Sequence, residues 1–218
     1  MEGPMDILPA ETLSPLAARV DEVLALYGYE LTPTIDAIDA AVPGFGGLFA
    51  PQTTDDERWT ALDAVLAAGP PTISSECDTD DSHLVLYVDG SSRGNPGPAG
   101  AGAVIQRNDT DIARLGRPVG SPVDNNIAEY AALQLGLQAL VTHYNPTAIE
   151  VRIDSMTVIE HIWTNATRTE PVTPYSPAIN GLLSTIPEHE WTHLSDSEPN
   201  PADARATVGA DIAALGPA

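Results

Sequence analysis

The chain has 218 residues, enough for one or two domains with a real core, and 43% of them are hydrophobic, as is typical of a globular protein. It carries 31 Asp and Glu residues against 9 basic residues, all of them Arg, which gives a net charge of −22. The single cysteine, Cys77, excludes an internal disulfide and a cysteine-rich zinc site.

This acidic composition predicts a salt-adapted protein. In dilute buffer such a chain repels itself, whereas at ~1 M salt the Debye length falls to ~3 Å and the repulsion nearly vanishes. Surfaces of this kind resemble those of proteins from salt-accumulating archaea; the alternative is a protein that avoids nucleic acid altogether. Because the sequence shows neither an export signal nor an apolar run of about 18 residues, we expect a cytoplasmic protein with no membrane partner.

Residues 1–69 are predicted to form three short helices in a small all-α domain. Ser14, followed by proline, is a candidate N-cap for the first helix. Thr34 is a candidate cap for the second helix, and the segment Thr54–Glu57 fits a capping box for the third.

The segment 70–82 is polar and acidic, which is the composition of a linker. Residues 1–82 hold 16 acids and 2 Arg, a net charge of −14, so this part of the chain is not expected to bind nucleic acid. Its aromatic residues Phe45, Phe49 and Trp59 either dock an unidentified protein partner or form the core of the small domain itself.

Residues 83–218 show a strand-rich pattern followed by alternating helices and strands. The order βββαβαβα predicts an α/β domain with a five-stranded mixed sheet flanked by helices. The predicted strands are 84–89, 101–106, 111–119, 149–153 and 189–194, and the main predicted helices are 127–143, 155–163, 178–185 and 201–215.

Four acids stand at distinctive places in this pattern. Asp89 and Asp154 each directly follow an apolar strand, Glu129 lies near the start of an amphipathic helix, and Asp203 lies at the start of the last helix. Carboxylates that converge from such places repel one another unless cations hold them, and oxygen ligands favour Mg²⁺ or Mn²⁺. The pattern therefore predicts phosphodiester hydrolysis by two metal ions. The alternative for any acid in so acidic a chain is a solvated surface residue, and Asp196 and Asp211 compete with Asp203.

The motifs around these acids, YVDGSSRGNPG, NNIAEYAAL, IDSMTVI and NPADARA, resemble the four signature blocks of type 1 ribonuclease H. The resemblance covers about residues 83–215 and is nearest to the haloarchaeal variety, which carries an acidic N-terminal extension. It implies a ribonuclease H-like fold for the catalytic domain 83–218. It also implies cleavage of the RNA strand of RNA–DNA hybrids, leaving 5′-phosphate and 3′-hydroxyl ends.

The resemblance also assigns roles to the four acids as catalytic residues and metal ligands. Asp89 would bridge two metal ions, and Asp154 with Asp203 would bind the ion that activates the attacking water. Glu129 would hold the other ion and lie near the 2′-hydroxyl of the RNA.

The candidate substrate contacts are glycines, hydroxyl and amide residues, and one arginine near the acids. For Gly90 to Asn95 the alternative is simply a tight hairpin turn, and for Asn125 and Asn126 the alternative is helix capping. The candidates are Gly90, Ser91, Ser92, Arg93, Gly94, Asn95, Asn125, Asn126 and Ser155.

Three departures from the family bear on substrate binding and turnover. The segment 164–177 lacks the Lys-rich basic protrusion of some members, so recognition must depend on 2′-hydroxyl contacts, minor-groove shape and the metal ions. Met156 stands where the family often has Gln, so one minor-groove contact is expected to be missing, and Ser155 should compensate only weakly. Some family members have a histidine near this place that helps product release or proton transfer, which makes His193 a candidate auxiliary residue. The spacing between its strand and Asp203 does not match theirs, which favours a surface histidine at a strand end.

Two other functions remain open at this stage. One is another enzyme of the same superfamily, such as an exonuclease, an integrase or a resolvase; the absence of an Asp-x-Glu pattern at Asp89 argues against the first. The other is a noncatalytic hybrid-binding protein, which the presence of all four acids disfavours.

Overall fold

The computed structural model describes residues 5–44, 46–70, 83–165, 173–195 and 197–216. The strands form one sheet in the order β3-β2-β1-β4-β5. The first three strands pair antiparallel, whereas β1 with β4 and β4 with β5 pair parallel. This mixed five-stranded sheet confirms the predicted fold class. Its strands are β1 (Leu84–Ser92), β2 (Gly97–Arg107), β3 (Thr110–Val123), β4 (Ala148–Ile153) and β5 (Glu188–His193).

The helices follow the predicted order, with three before the sheet and four within or after it. A five-residue π-helical turn, Leu140–Tyr144, continues the fourth helix. The helices are α1 (Pro15–Leu26), α2 (Leu31–Ala41), α3 (Asp55–Ala68), α4 (Asn125–Ala139), α5 (Met156–Asn165), α6 (Ser176–Leu183) and α7 (Asp203–Ala213).

The capping predictions for the N-terminal helices were right at two places and wrong at one. Ser14 Oγ accepts a hydrogen bond from Ala17 N at 3.1 Å, and the capping box between Thr54 and Glu57 is present. The cap assigned to Thr34 was wrong: α2 begins at Leu31, so Thr34 lies inside its first turn and donates its hydroxyl hydrogen to the Glu30 carbonyl.

The aromatic residues of this region differ in exposure. Trp59 packs partly buried against the hydrophobic core, whereas Phe49 is 41% exposed. Phe45 lies outside the described residues, as do residues 71–82 of the expected linker, Cys77 among them. The protein partner and the domain boundaries near residues 69 and 83 therefore stay predictions.

The segment that contains α1 and α2 lies along β3, the outer strand of the sheet. Glu11 N donates to Val119 O at 2.7 Å, and Gly116 N donates to the carbonyl of Tyr29 at 3.0 Å. Glu30 forms an antiparallel bridge with Leu115. The leading residues of the chain thus extend the hydrogen bonding of β3 on the side that no strand of the sheet occupies.

A buried ion pair ties the same segment to β3. The Arg117 side chain is 1% exposed, and its guanidinium donates to Asp21 Oδ2 at 3.2 Å and to the Leu8 carbonyl at 2.9 Å. The guanidinium also lies 5.3 Å from the ring centroid of Tyr29. Charge, hydrogen bonds and an aromatic ring therefore compensate together for taking this arginine out of water.

Helices pack closely on the two faces of the sheet. Leu86 on β1 contacts the position of Gly136 on α4, and its neighbour Tyr87 clusters with Ala202 at the start of α7. Because successive strand residues point to opposite faces, α4 and α7 lie on opposite sides of β1. A Cβ at Gly102 would collide with the α7 backbone, so glycine here lets α7 lie directly on the sheet.

Candidate active site

Two of the four acids meet at the ends of adjacent parallel strands. β1 pairs with β4 in parallel, with Tyr87 opposite Arg152. Asp89 follows two residues after Tyr87, and Asp154 follows two residues after Arg152. The sheet therefore brings both carboxylates to the same edge, as the apolar runs before them predict.

Glu129 reaches this edge because β1 and α4 pack very closely. A Cβ at Gly90 would lie 2.5 Å from the backbone nitrogen of Glu129, so only glycine permits this approach. Asn125, one turn earlier on α4, donates its side-chain N–H to Glu129 Oε1 at 3.5 Å. The sequence pattern did not reveal this packing role of Gly90.

Ligand oxygens from Asp89, Glu129 and Asp154 lie within 4.8 Å of one another. Asp89 and Glu129 are buried, at 6% and 5% exposure, whereas Asp154 is exposed. Asp203, the exposed first residue of α7, is near enough for its charge to raise the pKa of Asp89. Three of the four predicted acids thus form a compact cluster, and the fourth borders it.

The electrostatics of the cluster favour a bound cation. Burial, with the charges of Asp154 and Asp203, raises the pKa of Asp89 to about 7. Burial, with the charges of Asp89 and Asp154, raises the pKa of Glu129 to about 9. Hydrogen bonds from Gly90 and Asn125 act in the opposite direction and lower this pKa. Glu129 Oε2 is buried with no hydrogen-bond partner in the described part of the chain. An all-oxygen site with an unsatisfied buried carboxylate fits Mg²⁺ or Mn²⁺.

The candidate substrate contacts of the β1–β2 region are partly strand residues. β1 continues past the predicted end at Asp89, because Gly90, Ser91 and Ser92 pair with Ala101, Gly100 and Ala99. The turn proper contains Arg93, Gly94 and Asn95, and the φ of Gly94 is +91°. Arg93 forms an ion pair with the competing acid Asp211, which lies on α7 eight residues after Asp203.

The turn contacts the start of α4 through its amide residue. Asn95 Oδ1 accepts a hydrogen bond from Asn125 N at 3.2 Å. The N-cap of α4 is Asp124, whose side chain accepts from Asn126 N at 2.9 Å, so neither Asn125 nor Asn126 is the capping residue. Asp124 was missed, although an acid directly before a helical pattern is a recognised N-cap signal.

Three further predicted residues lie around Asp154. Ser155 Oγ accepts a hydrogen bond from Val158 N at 3.4 Å, which places this hydroxyl at the start of α5. Met156 follows and is 45% exposed. His193, at the end of β5, lies with Nε2 3.0 Å from the backbone oxygen of Asp154. The competing acid Asp196 lies outside the described residues.

Asn200 is a residue near the site to which the sequence reading assigned no role. Its side chain donates to the carbonyl of Val88, directly before Asp89, at 2.9 Å. The Asn-x-Ala-Asp block contained the signal, because Asn favours turns before a helix, but its partner on a distant strand depends on the fold.

Comparison with known proteins agrees with this geometry. The sequence profile of the family described as RNase H matches residues 81–193. Ribonuclease HI of Halobacterium salinarum is 30% identical over 194 residues, which cover 82% of this chain and 96% of that protein.

Solved structures show the same fold. The crystal structure of RNase H1 from Halobacterium salinarum has a TM-score of 0.51 at 32% identity and covers 59% of this chain and 98% of its own. LC11-RNase H1 in complex with an RNA/DNA hybrid has a TM-score of 0.52 at 27% identity, covering 59% of this chain and 96% of its own.

The chain therefore belongs to the RNase H family, and it is a hydrolase of the ribonuclease H class. Within that family it groups with the type 1 enzymes of the haloarchaeal variety, which confirms the resemblance of the four blocks. Among the described residues, no helix combines the length and apolarity needed to span a bilayer.

Proposed function

We propose that this protein is an endoribonuclease that hydrolyses the RNA strand of RNA–DNA hybrids with two divalent metal ions, giving 5′-phosphate and 3′-hydroxyl ends. The observation that carries the proposal is the cluster of ligand oxygens from Asp89, Glu129 and Asp154 within 4.8 Å. The solved relative in complex with an RNA/DNA hybrid supports the choice of substrate.

The four acids would act as metal ligands and catalytic residues. Asp89 would be shared between two ions, Asp154 and Asp203 would complete one site, and Glu129 would complete the other. Bound Mg²⁺ or Mn²⁺ would supply polarisation of the attacking water and of the leaving oxygen. The raised pKa of Glu129 and of Asp89 supports this assignment, because a bound cation would offset both the burial and the repulsion that raise these values.

Substrate recognition would depend on short-range contacts rather than on positive charge. Among the described residues, six arginines already form ion pairs with acids of the chain, which occupies charge that could otherwise neutralise phosphates: Arg19, Arg58, Arg93, Arg114, Arg117 and Arg152. Asn95, Asn125 and Asn126 have amide groups suited to 2′-hydroxyls and base edges. Gly90 to Gly94 and Ser155 would border the same strand, with Met156 leaving one minor-groove contact unmade.

The substrate prediction can be checked directly with the purified protein. We expect Mn²⁺-dependent cleavage of an end-labelled RNA–DNA hybrid in molar salt, and no cleavage of double-stranded DNA or single-stranded RNA. Product ends are read by digestion with a 5′-phosphate-dependent exonuclease and by polyadenylation, which requires a free 3′-hydroxyl group.

Controls in the same assay separate the rival functions. A hybrid whose RNA strand is 2′-O-methylated throughout should bind more weakly and resist cleavage, because the 2′-hydroxyl contacts are blocked. Binding of the unmodified hybrid without cleavage would favour a noncatalytic adapter. Cleavage of the DNA strand or of duplex DNA would favour another nuclease of the superfamily.

His193 lies beside the carboxylate cluster, and we propose it as an auxiliary residue in proton transfer or product release. We expect His193→Ala to lower kcat about 10²-fold, a typical contribution of a general acid or base. The KM for hybrid should change little, and the pH dependence of kcat should flatten. Steady-state kinetics over a range of pH values tests this.

A second histidine on β5 provides the matched control. His189 accepts a hydrogen bond from Trp191 Nε1 at 3.1 Å and lies away from Asp154, so His189→Ala should leave kcat unchanged. If His193→Ala turns over at the wild-type rate at every pH, His193 is only a surface residue.

Other expectations from the sequence stay predictions. They are the cytoplasmic location and a protein partner for the N-terminal helices. Activity that is highest at high salt is supported by the net charge of −22 and by the similarity to the Halobacterium salinarum protein.

A further inference from the structure

The segment between β5 and α7 is anchored to the ends of two strands that carry the site acids. At its start, Leu194 N donates to Ile153 O at 2.9 Å, directly before Asp154. At its other end, Asn200 Nδ2 donates to Val88 O at 2.9 Å, directly before Asp89. Leu194 and Asn200 are therefore both attached to the sheet edge at which the carboxylates meet.

The hydrogen bond from the Asn200 side chain supplies a donor to a backbone carbonyl that lies just beyond the end of the β1–β4 pairing. The pairing of β1 with β4 ends at Tyr87 opposite Arg152, one residue before Val88. A buried carbonyl without a donor is costly, and the Asn200 amide supplies one. The bond thus stabilises β1 at the residue that precedes Asp89.

The same side chain shapes the start of α7. Asn200 Oδ1 accepts a hydrogen bond from Ala202 N at 3.1 Å, and the Asn200 carbonyl accepts one from Asp203 N at 3.2 Å. One residue therefore contacts both the strand of Asp89 and the turn that presents Asp203. Gly102, opposite Asp89 on β2, lets the backbone at Ala202 and Ala206 lie directly on the sheet, so Asp203 begins α7 close to the strand pair that carries Asp89.

We propose that Asn200 is a positioning residue of the metal site, which holds the Asp203 carboxylate in register with Asp89. The inference rests on the proposed function, because it concerns the ligand role of Asp203. It predicts that the Asn200 amide sets metal affinity while leaving hybrid binding largely unaffected.

The test uses the full chain and compares wild type with Asn200→Ala. Loss of a group that orients metal ligands lowers metal affinity about 10- to 100-fold. We therefore expect the Mn²⁺ concentration for half-maximal cleavage to rise by that factor, with the KM for hybrid unchanged at saturating Mn²⁺. The affinity for Mn²⁺ in the absence of substrate should decrease in parallel. It is measured by the paramagnetic resonance signal of the free ion.

Two more variants separate positioning from stability. Asn200→Ser keeps an oxygen that can accept from Ala202 N but is too short to reach Val88 O; it should show the same Mn²⁺ defect with a smaller loss of Tm. Glu198→Gln is the control, because Glu198 accepts from Ser195 N at 2.8 Å within the same segment and makes no bond to β1. It should bind Mn²⁺ as the wild type does.

A folded Asn200→Ala whose Mn²⁺ affinity equals that of the wild type would overturn the inference. If the Tm of that variant is also lower by the same amount with and without Mn²⁺, the role of Asn200 is purely structural. A wild-type chain that binds Mn²⁺ but does not cleave hybrid would instead refute the proposed function, and the Mn²⁺ comparison would still decide the role of Asn200.

Discussion

Asp89→Asn should leave the protein folded and remove hybrid cleavage. The amide has the shape of the carboxylate but cannot hold two cations, and the loss of several kcal/mol of transition-state stabilisation lowers the rate about 10³-fold or more. Burial, with the charges of Asp154 and Asp203, raises the pKa of Asp89 to about 7, so the neutral amide also removes the cost of burying a charge next to other acids. The metal-free Tm should therefore rise while kcat collapses.

The check is a cleavage assay in saturating Mn²⁺ combined with thermal unfolding in EDTA. Asp56→Asn is the matched control, because Asp56 is an exposed acid in the first turn of α3; its loss should leave kcat unchanged and, by weakening the helix N-terminus, should not raise the Tm. Activity of Asp89→Asn within about tenfold of the wild type, a loss of only ~1.4 kcal/mol, would remove Asp89 from the site.

Arg117→Met should lower the free energy of unfolding by about 3–5 kcal/mol, because it leaves the buried Asp21 carboxylate without its partner. We expect this loss of stability to exceed that of the other substitutions. Asp21 is 3% exposed, and its Oδ1 already lacks a hydrogen-bond partner within the described residues. The carbonyl of Leu8 would lose its donor as well. Urea denaturation in constant molar salt measures the change.

A double-mutant cycle and a pH series identify the cause. Asp21→Leu added to Arg117→Met should recover part of the loss, since no buried charge then remains.

Burial raises the pKa of Asp21 to about 6 although Arg117 opposes it. The folded state therefore binds a proton at Asp21 more tightly than the unfolded state does. The free-energy cost of burying the Asp21 charge is relieved as the pH falls and the carboxyl becomes neutral. The deficit of Arg117→Met should shrink between about pH 8 and about pH 5; a deficit independent of pH would contradict this explanation.

The parts of the site that depend on local sequence were predictable. An apolar run that ends in an acid indicates a strand with a carboxylate at its end, and two such runs, at Asp89 and Asp154, meet because parallel neighbours end at the same edge. Glu129 followed from helical periodicity, and the four motifs then identified the family.

The parts that depend on contacts between distant segments were not predictable. The Arg117–Asp21 pair joins residues 96 positions apart, and the Asn200–Val88 bond joins residues 112 positions apart. Local propensity contains no information about either, since each exists only once the sheet and its helices have assembled. Similarly, β1 extends to Ser92 because β2 offers partners there, which overrides the turn composition of the motif.

The hydrogen bonds from the leading segment to β3 have a consequence for behaviour in concentrated salt. A bare strand edge is a template on which another molecule can add a strand. At low ionic strength a charge of −22 would keep two copies apart, but at ~1 M salt this protection extends only ~3 Å from each surface. By occupying the β3 edge with its own backbone, the polypeptide removes this edge as a template for strand addition by another copy, in a medium where charge no longer keeps copies apart.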